Sequence, residues 1–480
     1  MRIVLTSLLL AVATAGTALT ITVLPYYDDK TGDLPPLVSI TAGLWIVFAV
    51  SILSLRAVRT RAAIVLVLVG SVAIGGAAMA GPPNTSTDSA RYAWDGIVQN
   101  AGISPYDYVP ADPALAGLRT EWLFPAPVAK ADGELGCTGP RIMTVKEART
   151  GDVLCTAINR SSVNTIYPPA SEIVFAAVRF ITGAEAQYWP MQLLGLLVSL
   201  GTTVLLVRAL LARGRDPRWA ALWGWCPLVA TEGVTNSHID IVGAMLVLVA
   251  TLLVSTRRPF LGGIALGIAI SGKLIPVIGS FALLRRNPLR VILGAVGIFA
   301  LLYVPYVLAS GIGVLGYLPN YLGEEGYTSG TRFILISLVV PGVAALVVAA
   351  VLILVAAALI WWKSNPDDPW LGQLVMIGVT LLIVTPRYPW YALLLVPMIA
   401  MTGRWEWLAV PLALTERLLI PSVDLARLTV TLAIVLIVAM TIRRAGPGTL
   451  ARLGKAIRHP FGGGKTPELR GSSSAFITET

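Results

Sequence analysis

The stretch DSARYAWDGIVQNAGISPYDYVP, residues 88–110, is a polar segment that follows directly on an apolar run. It places two carboxylates, Asp88 and Asp95, and the guanidinium of Arg91 among several tyrosine and tryptophan side chains. Carboxylates at a membrane exit can accept a proton from a water-soluble substrate, while the adjacent hydrocarbon can hold a lipid-linked one. The segment therefore predicts chemistry at a membrane surface.

The rest of the chain has the composition of a membrane protein. Apolar residues make up 56% of the 480 residues and the mean hydropathy is +0.76, whereas only 13% are charged, about half of the ~25% usual in soluble proteins. The apolar runs long enough, or nearly so, to cross a ~30 Å hydrocarbon core as helices are residues 36–55, 62–80, 188–211, 238–255, 291–309, 331–362 and 428–442. The predicted fold class is an all-α polytopic membrane protein with about 11–14 transmembrane helices once shorter apolar arms are counted.

The distribution of basic residues predicts the topology. The net charge of +10 would suggest nucleic acid for a soluble protein, but here the arginines lie in short loops between apolar runs. Membrane orientation and lipid headgroups explain such loops better, so nucleic acid is not an expected partner and the loops are expected in the cytoplasm. The segment 81–187 is then a large extracytoplasmic loop, and both termini are cytoplasmic in a multi-pass plasma-membrane protein. The outer loop and the arginines after residue 211 must be separated by an odd number of crossings, and the run 188–211 supplies one, so residues 171–183 should lie along the interface. Residues 260–284 begin and end beside cytoplasmic arginines, so they should form a hairpin with Lys273 near its outer turn.

The domain organisation follows from these runs. Residues 1–442 are predicted to form one transmembrane domain that begins with an uncleaved first helix, and 443–480 a basic cytoplasmic tail, rich in Gly and Ser, that is disordered. Cys137 and Cys155 both lie in the outer loop, where an oxidising exterior permits a disulfide. Their spacing alone does not show that the two side chains approach each other. Cys226, in an apolar arm, is expected to be a small core residue.

Further polar residues gather on the same predicted face of the membrane. The break TEGVTNSHID at 231–240 contains Glu232, His238 and Asp240, while Lys273 and Arg387 lie in the later segments SGKLIP and TPRYPWY. Ionisable groups at membrane depth are costly and usually mark a functional pathway. A zinc site is only weakly indicated, because the break supplies a single His and no Cys.

Each of these residues also has a structural interpretation. Asp88 could cap an interfacial helix, and Arg91 could simply pair with a neighbouring carboxylate. His238 and Asp240 could be a pair that closes the helix break, and Lys273 could extend to lipid headgroups. The sequence alone leaves these alternatives open.

The chemistry of the set favours glycosyl transfer. A lipid-phosphate sugar donor has an anionic leaving group that Arg and Lys can stabilise, and the acceptor hydroxyl needs a carboxylate base. Aromatic residues such as Tyr106, Tyr108, Tyr167 and Trp390 suit the apolar faces of sugar rings. Neither a P-loop nor a GxGxxG motif of credible context is present, so a soluble nucleotide substrate is not expected.

These same segments carry a family resemblance. The pattern DxxRYxWDGxxxxxGxxPY at 88–106, followed by TIYPP at 165–169, resembles the GT-C superfamily of polyprenyl-phosphate-sugar-dependent glycosyltransferases. It is most similar to actinobacterial mannosyltransferases, namely glycosyltransferase family 87 and the α-(1→6)-mannopyranosyltransferase group. Later segments similar to these proteins are PLVATEGVTNSHID at 227–240, GKLIP at 272–276 and TPRYPWYALLLVP at 385–397.

The resemblance implies a GT-C-like helical bundle with its active site on the outer face. An Asp in the first large outer loop would be the catalytic base; Asp88 matches that position best and Asp95 second. His238 and Asp240 match the His or acidic group that related enzymes take from a later loop. The residues predicted to bind substrate are Arg91, Tyr92, Tyr106, Tyr167, Glu232, Lys273, Arg387, Trp390 and Tyr391.

The resemblance further implies a donor such as decaprenyl-phosphate mannose, inversion to an α-linked product, and a cell-envelope glycolipid or lipoglycan as acceptor. No metal or other cofactor is expected, because Arg and Lys can stabilise a monophosphate leaving group. The long polar loop 111–164 departs from the pattern, so the acceptor does not carry over. The alternatives are a lipid-linked saccharide flippase, a non-enzymatic scaffold for envelope assembly, and an O-antigen-ligase-like transferase with a pyrophosphate donor.

Overall fold

A computed structural model describes residues 2–24, 34–131 and 133–446. It is 69% helical, which confirms the predicted all-α class. Most of the predicted tail, from residue 447 onward, lies outside the described residues. The chain divides into a unit of residues 1–433 and a unit of residues 434–480, and the described part of the second unit contains the end of the last helix.

The helices are numbered in chain order. Those of the first half are α1 (Arg2–Val23), α2 (Leu34–Leu55), α3 (Thr60–Ala77), α4 (Asp88–Asn100), α5 (Pro169–Thr182), α6 (Trp189–Ala212), α7 (Ala221–Gly224) and α8 (Asp240–Ser255). Those of the second half are α9 (Pro259–Gly272), α10 (Pro288–Ser310), α11 (Leu318–Glu324), α12 (Val343–Lys363), α13 (Trp370–Val384), α14 (Val396–Thr402), α15 (Ala409–Leu419) and α16 (Val423–Ala445).

Seven helices in the described residues are long and apolar enough to span a membrane. The π-helix Val229–Thr235 and α8 meet at a bend of 113°, and this pair counts as an eighth span if it is one broken helix. Three shorter apolar helices, Pro259–Gly272, Trp370–Val384 and Pro389–Thr402, are also present. A total of about 11–14 crossings requires some of these shorter helices to cross the membrane, so the number stays a prediction.

Proline and glycine explain two departures from the apolar pattern. The run 331–362 yields a helix only from Val343, because Pro341 and Gly342, with φ +63°, interrupt the chain just before it. In the segment 260–284, α9 is the first arm, but the return consists of the 3-10 turns Ile275–Gly279 and Phe281–Leu283. The second arm of the predicted hairpin is therefore not an α-helix. Pro276 does not explain this, because proline is tolerated in the first turn of an α-helix.

The long loop after α4 contains two small antiparallel hairpins. Strands β1 (Val128–Ala129) and β2 (Leu135–Gly136) pair with each other, as do β3 (Met143–Lys146) and β4 (Val153–Thr156). A disulfide joins Cys137 to Cys155, so it ties the end of the first hairpin to the last strand of the second. Cys226 is buried and free, as expected.

The packing of α4 against α5 sets the position of the polar segment. At Gly96 an added Cβ would lie 2.4 Å from the carbonyl oxygen of Phe175, so only glycine permits this approach of the two backbones. The Tyr92 ring stacks on Phe175 with centroids 4.4 Å apart. Helix α5 buries one face here, while Phe180 and Ile181 on its outer side are more than four-fifths exposed. This amphipathic arrangement is compatible with the predicted interfacial position, which stays a prediction.

Candidate active site

A cavity of about 440 Å³ lies at the N-terminal end of α4. Its walls come from residues 85–91, the segment 159–168, the turn after α9, α11 and the 3-10 turn Pro389–Leu394. Among the described residues that line it, Asp88 is the single carboxylate, and the cations are Arg91, Arg160, Lys273 and Arg332. We call these four residues the lining cations. The cavity therefore combines one candidate base with several groups that can hold an anion.

Asp88 contacts a different residue with each of its carboxylate oxygens. Its Oδ1 accepts a hydrogen bond from Asn159 Nδ2 at 2.6 Å, and its Oδ2 lies 3.5 Å from His238 Nδ1. Asp88 is the first residue of α4, and the side chain of the preceding capping residue makes no capping hydrogen bond. The carboxylate, with 18% of its side chain exposed, faces the cavity and does not serve as a helix cap.

The broken helix places His238 beneath Asp88. The π-helix ends at Thr235 and Ser237 takes a φ of +51°, which turns the chain so that His238 is fully buried between two carboxylates. Its Nε2 lies 3.3 Å from Glu232 Oε2, and its ring stacks on Trp390 with centroids 3.7 Å apart. The stacking sets the plane of the imidazole, while its two buried nitrogens lie near the carboxylates without a hydrogen bond in the described part of the chain.

Asn236 ties this break to the chain that leads into α4. Its side-chain oxygen accepts hydrogen bonds from the backbone N–H groups of Asn84 and Thr85, at 3.0 and 3.1 Å. Its amide nitrogen donates to Thr85 Oγ1 at 2.6 Å and to Glu232 Oε2 at 3.2 Å. The chain that leads into α4 and the break at 231–240 are therefore joined by hydrogen bonds, although they lie about 150 positions apart in sequence.

Lys273 lines a different wall of the cavity. It follows the last residue of α9, its Nζ is 2.5 Å from Asp240 Oδ2, and it lies 4.9 Å from the centre of the Tyr391 ring. The ion-pair partner of Asp240 is therefore Lys273 and not His238, in contrast to the structural interpretation that paired His238 with Asp240. The lysine is not extended toward headgroups, because both of these contacts hold it at the cavity.

Arg91 and Asp95 form a pair behind the cavity wall. Arg91 Nε donates to both carboxylate oxygens of Asp95, at 2.8 and 2.9 Å, and both residues are buried. Arg91 lines the cavity but Asp95 does not. Because both oxygens of Asp95 are occupied by Arg91, Asp95 is poorly placed to accept a proton from a substrate.

Glu172 on α5 completes this buried cluster. Its carboxyl group accepts hydrogen bonds from Thr165 Oγ1 at 2.8 Å and from Gln99 Nε2 at 2.9 Å, and the same Gln99 nitrogen also donates to the backbone oxygen of Asp95 at 3.2 Å. Burial and the neighbouring Asp95 raise the pKa of Glu172 well above its ordinary value. One cation and two carboxyl groups thus share a buried site.

The other predicted substrate-binding residues divide into two groups. Tyr167, Trp390 and Tyr391 line the cavity. Tyr92 does not, because it is fully buried against Phe175 and Tyr167.

Tyr106 and Arg387 are also displaced from the predicted position. The buried Tyr106 hydroxyl donates to the backbone oxygen of Tyr167 at 2.6 Å, so Tyr106 supports the wall from behind. Arg387 is exposed and is not among the residues that line the cavity. Glu232 does not line the cavity either; it lies behind His238, as described above.

The sequence analysis did not identify several residues of the wall. Asn159 and Arg160 come from a loop about 70 positions after Asp88. Arg160 adopts a φ of +52°, which its residue type does not predict. Arg332 pairs with Glu325, and Arg160 pairs with Glu324 at 3.0 Å. The available signal was the pair of acidic residues in GEEG, at the end of α11, and the arginine of TSGTR, which follows it.

Comparison with known proteins gives one match. The family profile described as Glycosyltransferase family 87 matches residues 165–386, a little under half of the chain. No curated protein and no solved structure gives a significant match. The matched region includes Tyr167, the broken helix and Lys273, whereas α4 and the turn with Trp390 lie outside it.

The profile match supports a membrane glycosyltransferase of the GT-C type. The match does not identify the sugar, the donor or the acceptor. Within the described residues, no group of three or more His, Cys, Asp or Glu side chains is arranged to hold a metal ion.

Proposed function

We propose that this chain transfers a sugar, mannose by its resemblance, from a polyprenyl-phosphate donor to a hydroxyl group of a cell-envelope glycolipid or lipoglycan. The observation that carries the proposal is the composition of the cavity wall. A single carboxylate, Asp88, faces the same space as the four lining cations among the described residues. A base for the acceptor and cations for an anionic leaving group are the two requirements of this reaction.

In the proposed reaction the acceptor oxygen forms a bond to the anomeric carbon while the bond from that carbon to the phosphate oxygen breaks. Asp88 takes the hydroxyl proton, and the polyprenyl phosphate leaves with the bonding electron pair. Attack from the face opposite the phosphate inverts the anomeric configuration. Lys273 and the other lining cations stabilise the charge that develops on the leaving oxygen.

The remaining residues position these groups. Asn159 orients the Asp88 carboxylate by a hydrogen bond, and the imidazole of His238 lies between Asp88 and Glu232 at 3.5 and 3.3 Å. Trp390 and Tyr391 offer apolar ring faces that suit a sugar. Asp240 acts through Lys273 in this proposal, as a positioning residue for the cation.

The extracytoplasmic location of the site is part of the proposal. The disulfide between Cys137 and Cys155 supports it, because disulfides persist in oxidising compartments and are rare in the cytosol. These cysteines belong to the same loop as Asn159, which contacts Asp88. With that loop outside, the arginine-rich loops and both termini are cytoplasmic.

The test uses purified protein in lipid nanodiscs with a labelled polyprenyl-phosphate mannose and a native lipid extract as acceptor. We expect label in a lipid product that requires the acceptor, with the Asp88→Asn protein as the inactive control. Transfer from a lipid pyrophosphate donor but not from the monophosphate would favour the ligase-like alternative. Label that crosses vesicle membranes without a new glycosidic bond would identify a flippase and overturn the proposal.

A further inference from the structure

We propose that Asp95 and Glu172 share one proton and act together as positioning residues, holding Arg91 with one guanidinium edge toward the cavity. The inference rests on the proposed function for its catalytic consequence. It assigns a role to Glu172, which belongs to no sequence motif discussed above. It also replaces the role of Asp95 as an alternative base.

The geometry of the cluster requires a proton. Arg91, Asp95 and Glu172 are each at most 5% exposed, and the Gln99 amide links the two acidic residues by donating to the backbone oxygen of Asp95 at 3.2 Å and to Glu172 Oε2 at 2.9 Å. Two ionised carboxylates buried in one cluster would repel each other with only one cation paired to them. One shared proton leaves a single negative charge opposite Arg91, so that the cluster is neutral.

The surroundings of Glu172 assign the proton mainly to its side of the pair. Arg91 Nε bonds both oxygens of Asp95, which favours the ionised form there. Glu172 instead accepts its hydrogen bonds from neutral groups, the Thr165 hydroxyl and the Gln99 amide. The other titratable groups near it are the Arg91 guanidinium and the phenols of Tyr106 and Tyr306. Tyr306 reaches the cluster through Gln99, whose side-chain oxygen accepts its hydroxyl at 2.7 Å.

The cluster positions two parts of the cavity wall through Arg91. Its Nη1 donates to the backbone oxygen of Val163 at 3.0 Å and lies 3.5 Å from that of Arg160. This fixes the segment that carries Asn159, the hydrogen-bond partner of Asp88. Nη2 of Arg91 has no partner in the described part of the chain, although the residue is only 5% exposed and lines the cavity. In this proposal, that unpartnered nitrogen is the donor that Arg91 offers to an oxygen of the substrate.

The first experiment asks whether Glu172 acts in its protonated form. Glu172→Gln keeps a neutral group of the same shape, so we expect kcat/KM within about threefold of wild type. Glu172→Ala removes the hydrogen bonds and should lower kcat/KM by about tenfold or more. Glu185→Gln, an exposed acid beyond the end of α5, is the matched control and should leave both activity and stability unchanged. Equal losses in the Gln and Ala variants would show that the ionised carboxylate is needed and would overturn the shared proton.

The second experiment asks whether the cluster needs one negative charge. Asp95→Asn alone allows Glu172 to release its proton and become the counter-charge, so part of the function should survive. The double variant Asp95→Asn with Glu172→Gln leaves Arg91 without a counter-charge, and we expect kcat/KM to fall about a hundredfold or more beyond the product of the single effects. Strictly multiplicative effects of the two substitutions would contradict the proposal.

A third measurement does not depend on transferase activity. A carboxyl group whose folded pKa is raised contributes stability at low pH that is lost as pH rises through that pKa. Thermal unfolding of the purified protein should therefore show a fall in Tm with rising pH that is smaller in Glu172→Gln and unchanged in Glu185→Gln. If the wild-type protein transfers no sugar but this difference is present, the proposed function fails and the cluster stands. If transfer is normal and the pH dependence is the same in all three proteins, the cluster assignment fails alone.

Discussion

Replacement of Asp88 by Asn is the sharpest test of the catalytic assignment, because it changes the charge of the side chain and almost nothing else. Asn preserves the shape of the side chain and can still accept the hydrogen bond that Asn159 now donates at 2.6 Å. The side chain is 18% exposed and belongs to no buried ion pair in which a cation would be left alone, so we expect a change in stability of about 1 kcal/mol or less. A loss of activity would then report chemistry and not folding.

The expected loss follows from the role. A positioned general base contributes about 10²–10⁴-fold to the rate, which corresponds to roughly 3–5 kcal/mol of the activation free energy. Asn159→Ala removes one charge-assisted hydrogen bond, worth about 1.5–3 kcal/mol, and leaves the base in place. It should therefore cost no more than about 10–100-fold and form an intermediate step between wild type and Asp88→Asn.

The assay measures initial rates with saturating polyprenyl-phosphate mannose and measures Tm on the same preparations. Asp95→Asn is the contrasting variant: the buried pair with Arg91 is broken, so the Tm should fall while the folded fraction keeps measurable activity. A protein with Asp88→Asn that turns over at a near-normal rate, beside a folded but inactive Asp95→Asn protein, would pass the role of base to Asp95. Normal turnover in both would remove α4 from the mechanism.

Three further predictions test the geometry. Lys273→Ala should raise the KM for the lipid donor about tenfold or more, whereas Arg387→Ala, whose side chain lies outside the cavity wall, should stay within about twofold of wild type; the reverse order would move the phosphate site away from Lys273. Ser162→Cys, at an exposed position of the loop, should react with a membrane-impermeant thiol reagent in intact cells, and a reaction confined to permeabilised cells would invert the topology. Replacing Cys137 and Cys155 by Ser should destabilise the loop by about 3 kcal/mol for a separation of 18 residues, seen as faster proteolysis within 111–164; an unchanged cleavage rate would show that the hairpins hold the loop without the bond.

The sequence was sufficient for those parts of the fold that depend on local pattern. Long apolar stretches predict helices because the bilayer leaves the backbone few alternatives, and the runs 36–55 and 188–211 correspond to α2 and α6 within a few residues. The contrast of polar and apolar residues also predicted that α4 and the broken helix belong to the candidate site. Both segments do border or support the cavity.

What the sequence did not predict depends on contacts between distant segments. Tyr92 lies between Asp88 and Asp95 in the motif, yet its helical position turns it toward α5 and away from the cavity. Asn159 belongs to an irregular loop with no periodic pattern, and its approach to Asp88 follows from the packing of that loop on α4. Glu172 lies in an amphipathic helix where one acidic residue reads as solvent-exposed, but close packing at Gly96 places it in the interior.

The balance of charge around the cavity bears on turnover as well as on binding. Each lining cation has an acidic partner that is not itself among the described residues of the wall, and the pairs are Arg91–Asp95, Arg160–Glu324, Lys273–Asp240 and Arg332–Glu325. Unpaired cations in a site of low dielectric would bind a phosphate tightly and release the polyprenyl-phosphate product slowly. With a carboxylate behind each cation, an arriving phosphate gains hydrogen bonds and only part of the Coulomb energy. The cations can then stabilise the charge that develops on the leaving oxygen without trapping the product. Asp240→Asn should accordingly tighten product inhibition by polyprenyl phosphate and lower kcat, whereas unchanged or weaker inhibition would contradict this account.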